Sequence, residues 1–290
     1  MVEVTILNSM AGREFEQALD QHVSWDIEIL DLKDAIFGKN IAQLTEDQAA
    51  DAAILIRERG LSVYCFSTGL FHGDIELGEK RFREDYLDKV DYVIELGGIL
   101  QPDMIRLLSA RTSRRAEIED SVEYIRTQHP WLIPLYAEAI HRLYESGFDV
   151  TIENEVGGCI FSNPEEITDF FEELDCGEEV CFTWDVQNLW QMGIYPTMEV
   201  YNKLKDLIGY YHLKGGQSGD GAHGSPLRWR SSLEDASWPV VEITRQAVMD
   251  GVCEVICLNP SHGEQKEGYD YSNIVERDLD FIRGAIPEVE

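Results

Sequence analysis

A chain of 290 residues suits one large α/β domain or two ordinary ones, and an apolar content of 44% is ample for a core. Its 55 acidic residues against 24 basic ones leave a formal charge of −31. With no basic stripe to meet phosphates, nucleic acid is disfavoured as a partner. No apolar run reaches the roughly 18 residues that a membrane span needs.

Strand-like and helix-like patterns alternate from end to end. The first strand is expected near residues 2–8, ending at Asn8-Ser9, with a helix from about Arg13. The second is expected at 25–30, from Trp25 to Leu30. Thr45, with Gln48 three residues on, reads as a helix start, and Gly60 as its stop. The third strand is expected at 61–66, followed by Ser67-Thr68-Gly69 and a helix over 78–88. The run Tyr92-Val93-Ile94-Glu95-Leu96, closed by Gly97-Gly98, reads as a fourth strand, and 103–147 as mostly helical with a break at Pro130 and Pro134. The fifth strand, 148–153, ends in Glu153. Pro164-Glu165-Glu166 opens a helix with acids at its positive end. The sixth strand, 179–184, delivers Asp185; Pro196 opens the next helix; the seventh, 208–213, carries His212. A polar, Gly-rich loop over 215–231, a helix over 235–250, an eighth strand from Val252 to Leu258 and a last helix near 272–283 complete the chain.

Eight strands, each followed by helix, predict a single (β/α)8 TIM barrel as one domain over residues 1–290. An open doubly wound sheet is the alternative, but no GxGxxG follows the first strand. The cysteines Cys65, Cys159, Cys176, Cys181, Cys253 and Cys257 form no CxxC pair. They read as buried free thiols of a reducing cytoplasm, and the chain opens straight into a strand pattern without a signal sequence. Eight lysines against sixteen arginines, on so acidic a chain, suit multimolar salt and suggest a halophilic source.

In such a barrel the chemistry sits at the C-terminal ends of the strands. Glu153, Asp185 and His212 occupy three such ends and form a candidate divalent-metal site. Glu153 is also a candidate proton acceptor. Glu155 is a second carboxylate two residues on, and a helix N-cap is the alternative role for Asp185. Lys214, two residues past His212, has the same orientation and could bind a substrate oxygen. Asn259 closes the eighth strand as an uncharged fourth ligand, with His262 and Glu264 close behind. Ser67, Thr68, His72, Trp184, Asn188, Arg228, Trp229 and Arg230 are candidate substrate contacts at the mouth. His22 and His141 read as structural helix residues, and His223 falls in the loop.

Three runs resemble the xylose isomerase-like TIM-barrel superfamily of sugar phosphate isomerases and epimerases. They are Ile152-Glu153-Asn154, then Thr183-Trp184-Asp185-Val186-Gln187-Asn188 with Gly193, then Tyr211-His212-Leu213-Lys214. Gly60-Leu61 and Gly251 before the eighth strand fit as well. The resemblance implies a divalent ion (Mn, Mg, Co or Zn) held by Glu153, Asp185, His212 and an acid on the eighth strand. It implies an enzyme of carbohydrate metabolism that isomerises or epimerises a small sugar by proton transfer through a metal-stabilised enediolate. Asn259 stands where a second glutamate is expected, so a two-glutamate proton shuttle is not complete, and Lys214 or His262 would have to substitute. The same superfamily contains dehydratases, which remove a similar proton and expel water. A non-catalytic sugar-binding relative is a further alternative. A zinc-dependent abasic-site endonuclease would need a richer ligand cluster and a basic face. The sequence leaves homo-oligomerisation open.

Overall fold

The structure, a computed structural model, describes residues 1–220, 227, 231–260 and 272–290. Eight parallel strands form one sheet, bent into a nearly closed barrel and surrounded by helices. They are β1 (Glu3–Thr5), β2 (Ile29–Leu32), β3 (Ser62–Ser67), β4 (Met104–Leu108), β5 (Asp149–Glu153), β6 (Cys181–Asp185), β7 (Ile208–Leu213) and β8 (Val255–Leu258). From β2 to β8 each strand pairs with the next in sequence, and β1 pairs with β8. The seam between β1 and β2 is held by a single parallel bridge, Leu7 to Asp31, and by Thr5 Oγ1 donating to Ile29 O at 2.9 Å. The fold is that of a (β/α)8 TIM barrel.

Several helix ends follow from local sequence. Thr45 caps the helix Glu46–Glu58 through a reciprocal box with Gln48, satisfying two amides that would otherwise lack partners. Gly60, just beyond, takes φ +72°, the left-handed conformation that favours glycine. Asn163 caps the helix Pro164–Leu174, with Pro164 at its start and Glu165 and Glu166 in its first turn. His22 lies buried in the helix Phe15–Ser24, bonded to Ala18 O and Ile6 O.

The fourth strand is a correction. Residues 92–96 are not a strand but the middle of a helix, Val90–Leu100. Its buried residues Val90, Val93, Leu96, Gly97 and Leu100 recur at helical spacing. β4 lies instead at Met104–Leu108, inside the segment expected to be helical. Its five residues are all buried, because a barrel strand is covered inside by the other strands and outside by helices. Arg106 in its centre disguises that burial, since isolated arginine is almost never fully buried. Beyond β4, residues 109–120 are loop with one 3-10 turn at Arg115–Glu117, and the helices Ser121–Gln128 and Leu132–Glu145 follow on either side of Pro130.

β2 also shifts, from the expected 25–30 to Ile29–Leu32, which moves Asp31 into the barrel wall. The first strand is shorter than expected. Asn8 is not its end but the start of a helical turn, Asn8–Ala11. Asn8 is buried and clamps the exit of β2, donating to Asp34 O at 2.7 Å and accepting from Lys33 N at 2.8 Å.

Candidate functional site

Side chains alternate along a strand, so one set from every strand points into the barrel. Thr151 and Glu153 on β5, Thr183 and Asp185 on β6, and Tyr210 and His212 on β7 form this inner set, with Thr151 and Thr183 in hydroxyl contact at 2.6 Å. Cys257 and Asn259 follow on β8, linked by a thiol donation from Cys257 Sγ to Asn259 Oδ1 at 3.4 Å.

Ligand atoms of Glu153, Asp185 and His212 all lie within 4.8 Å of one another, and all three residues are buried. His212 Nδ1 is 2.8 Å from Glu153 Oε1 and 3.9 Å from Asp185 Oδ2. Two fixed cations close the cluster. Arg106 Nη1 lies 2.5 Å from Glu153 Oε2, and Lys214 Nζ lies 2.5 Å from Asp185 Oδ2. Arg106 also donates from Nη2 to Thr68 O at 3.2 Å, which fixes its guanidinium in the wall.

Asp185 does two jobs at once. Oδ1 accepts from Asn188 N at 3.0 Å and so caps the short helix Val186–Gln191. Oδ2 is left for the barrel interior. Asn154 fixes the Asp185 backbone from both sides, donating to Asp185 O at 2.9 Å and accepting from Asp185 N at 2.8 Å. Asn188 Nδ2 returns to Asn154 O at 2.9 Å. The Asn188 amide nitrogen is thus committed to holding the site's frame.

Burial and neighbouring charge pull the acids apart. Desolvation would raise the Glu153 carboxyl, but Arg106, His212 and Lys214 outweigh it and hold the group well below the usual carboxylate range. Asp185 is raised, because desolvation and the Glu153 charge exceed what Lys214 returns. Burial would lower the Lys214 ammonium, but the Asp185 and Glu153 carboxylates raise it. Arg106 is likewise raised, since Glu153 and Asp31 outweigh its burial. Glu153 is therefore ionised throughout the neutral range.

The fit to a divalent ion rests on atoms the protein leaves short of partners. Glu153 Oε2, Asp185 Oδ2, both His212 ring nitrogens and Asn259 Nδ2 are buried without an aligned hydrogen bond. The short charge contacts meet the distance for hydrogen bonding but not its direction. Buried polar groups are seldom left so. Two carboxylates and an imidazole at barrel-strand ends form a donor set suited to Mn, Mg, Co or Zn. Asn259 fits as fourth donor only after a half-turn of its amide. Its oxygen accepts from Cys257 and its nitrogen faces no partner; oxygen and nitrogen exchange on rotation.

The remaining candidates divide. His72 is half-buried at the end of the β3 loop, its Nδ1 3.0 Å from Ser109 O. Ser67 and Thr68 are buried, and the Thr68 hydroxyl donates to Arg106 O at 2.6 Å. Glu155 is half-buried, with its backbone amide donating to Ser109 Oγ at 3.3 Å. Trp184 is a correction: it is fully buried on the outer face of β6, stacked on Tyr201 and tilted against Tyr211 at ring-centroid distances of 6.2 and 5.7 Å. Alternation sends it toward the helices because its neighbours Thr183 and Asp185 point inward. Exposed His141 lies beside Glu179. Arg228, Trp229, Arg230, His223, His262 and Glu264 lie outside the described residues. Sequence reasoning missed Arg106 and Asp31. The available signal was a charged residue at the centre of an otherwise apolar run, which in a barrel strand calls for a buried partner of opposite charge.

With this geometry in place, comparison with known proteins gives the family. The sequence model of the xylose isomerase-like TIM barrel family matches residues 27–272. The chain belongs to that family. A search of curated proteins finds no match. Among solved structures, the chain is similar to a xylose isomerase-like TIM barrel protein from Mycobacterium smegmatis in complex with magnesium. That match has a TM-score of 0.69 and 14% identity, covering 98% of this chain and 95% of that one. The probable 3-DHS dehydratase AsbF from Bacillus anthracis is similar at TM-score 0.69 and 13% identity, covering 97% and 98%. D-psicose 3-epimerase from Clostridium cellulolyticum H10, with D-tagatose, is similar at TM-score 0.69 and 14% identity, covering 99% of each chain. At these identities the likeness is one of fold. Among the described residues, no helix is long and apolar enough to cross a membrane.

Proposed function

We propose that the chain, as one domain over residues 1–290, is a divalent-metal-dependent isomerase or epimerase of a small sugar or sugar derivative. The observation that carries this reading is the convergence of Glu153, Asp185 and His212 on one buried point, with donor atoms that lack an aligned hydrogen bond. Glu153, Asp185 and His212 would hold the ion, with Asn259 as a neutral fourth donor. A divalent ion there supplies polarisation of a substrate carbonyl and offsets the charge of an enediolate. A magnesium-bound relative of this fold supports that assignment.

The protein's own groups do the rest. Glu153, ionised by its pairing with Arg106, accepts the proton from the carbon beside the carbonyl. A carboxylate so held is a weak base, so its reach depends on substrate contacts that acidify that carbon. Lys214 binds a substrate oxygen with its ammonium. His262 is the candidate for a second proton carrier, and His72 and Arg230 for contacts to substrate hydroxyls.

Asn259 favours a second reading. An amide is a poor base, so proton removal and return on opposite faces of the carbon lack a second carboxylate. One base suffices for isomerisation on a single face, or for dehydration with Lys214 delivering a proton to the departing hydroxyl. A dehydratase acting on a polyol or keto-sugar is therefore the alternative, with the dehydratase of the same fold as its precedent.

The test begins with the metal-stripped protein and a series of Mn, Mg, Co and Zn against a sugar panel in deuterated water. Deuterium at the carbon next to the carbonyl, only with metal, supports isomerisation or epimerisation. Water loss with a new enone absorbance supports the dehydratase. Absence of divalent-ion binding at any pH removes both.

A further inference from the structure

His212 faces two different sets of donors. Nδ1 faces Glu153 and Asp185, as described. Nε2 lies 3.9 Å from Asp31 Oδ2, and ligand atoms of Asp31, His212 and Cys257 all fall within 4.8 Å of one another. Asp31 and Cys257 are 0% exposed and His212 is 1% exposed. β7 and β8 are in register here, with His212 opposite Cys257, and Asp31 comes from β2.

The Asp31 carboxylate shares the field of the Arg106 guanidinium but is short of hydrogen bonds. Tyr210 OH donates to Oδ2 at 2.8 Å, but Oδ1 has no partner, and neither does His212 Nε2. A fully buried carboxylate in that condition is costly. A dication bound by carboxylate and thiolate would neutralise it locally. Zinc bonds of about 2.0–2.3 Å put tetrahedral ligand atoms about 3.3–3.8 Å apart, so the 3.9 Å between His212 and Asp31 is already close to that spacing, and the thiol, within 4.8 Å of both, would move inward. The thiol shifts the preference from Mg or Mn toward thiophilic ions.

We propose that Asp31, His212 Nε2 and Cys257 form a second, deeper cation site that takes a thiophilic divalent ion such as Zn or Co(II). This site goes beyond the isomerase reading and touches it through the shared imidazole and through Cys257, whose thiol donates to Asn259. Neutral imidazole offers one lone pair, so His212 serves one ion at a time. A hard ion is held at the mouth through Nδ1, and a thiophilic ion is drawn below through Nε2. On binding, the Cys257 S–H bond breaks, a sulfur–metal bond forms and the proton leaves to solvent, with no change of oxidation state.

Cobalt reports the site directly, because a thiolate ligand gives Co(II) a charge-transfer absorption in the near ultraviolet. Titration of the metal-free protein with Co(II) should give that band, saturating near one equivalent, with release of a proton. Cys257→Ser should abolish the band, and Asp31→Asn should weaken Co(II) binding by about tenfold or more. Cys65→Ser and Glu153→Gln should keep it. No band in the wild-type protein, or a band that survives Cys257→Ser, overturns the proposal. Should Cys257→Ser fail to fold, unchanged Co(II) affinity in Asp31→Asn overturns it equally. Mn(II) binding followed in parallel by paramagnetic resonance reads the mouth site. Its failure counts against the isomerase reading and leaves the cobalt result standing.

Discussion

Arg106 on β4 and Glu153 on β5 stand 2.5 Å apart, exposed by 3% and 2% of their side chains. This pair, more than any single ligand, sets the electrostatics of the barrel mouth. Removing a member of a buried pair leaves the other charge uncompensated. Arg106→Ala should therefore destabilise the protein by about 3–5 kcal/mol at neutral pH, with Arg106→Lys milder. The sign with pH follows from the Glu153 carboxyl, which is held below its unfolded value. The pair's stabilisation is present above the ordinary carboxylate range and is lost as pH falls toward the folded value. Urea unfolding of wild type and Arg106→Ala should thus converge in acid. A gap that stays constant from pH 7 to pH 3 would count against this account.

Asn259 offers a test of the ligand shell. Asn259→Asp places a charged oxygen at the same strand end. It should raise Mn(II) affinity by about tenfold or more, since a carboxylate is the stronger ligand for a hard cation. Isothermal titration of the two proteins compares them. Equal affinities would mean that residue 259 does not face the ion.

Asp278, on the helix Ser272–Ala285, gives an opposite pH signature. It is fully buried, and Oδ1 accepts from Leu233 N at 2.9 Å while Oδ2 has no partner. Desolvation pushes its carboxyl up to about 7. A raised acid stabilises the fold when protonated, so this contribution is full below about pH 4 and is lost as pH rises through 7. Asp278→Asn keeps the acceptor for Leu233 N and removes the charge. Its stability should match wild type at pH 4 and exceed it by on the order of 2–4 kcal/mol at pH 8. Midpoints of urea unfolding at the two pH values settle the matter.

Gly97 and Gly98 are adjacent in the helix Val90–Leu100, yet they should respond oppositely to alanine. A Cβ on Gly97 would stand 2.6 Å from the Phe148 ring, whereas one on Gly98 meets nothing within 4 Å. Gly98→Ala should stabilise by about 0.5–1 kcal/mol through helix propensity. Gly97→Ala should cost about 1–3 kcal/mol through overpacking, and Phe148→Leu should recover part of it. Thermal unfolding of Gly98→Ala, Gly97→Ala and the Gly97→Ala, Phe148→Leu double variant is sufficient, and equal signs for the two single alanines would refute the packing argument.

The sequence by itself determined the repeat of strand and helix, and with it the barrel. It also put Glu153, Asp185 and His212 at strand ends, because alternation and strand termini are written locally in residue order. Helix starts at Thr45 and Pro164 were equally local. The tertiary structure decided what depends on neighbours distant in the chain. Tyr92–Leu96 and Met104–Leu108 are both short apolar runs, and periodicity over five residues does not separate a buried helix face from a barrel strand. Only the surrounding packing made the second a strand, and only then did Arg106 face Glu153. Asp31 entered the wall by a shift of β2, and Trp184 turned to the helices by the alternation that points Asp185 inward. Charge compensation inside a barrel is a property of eight strands at once, so it is settled where those strands meet.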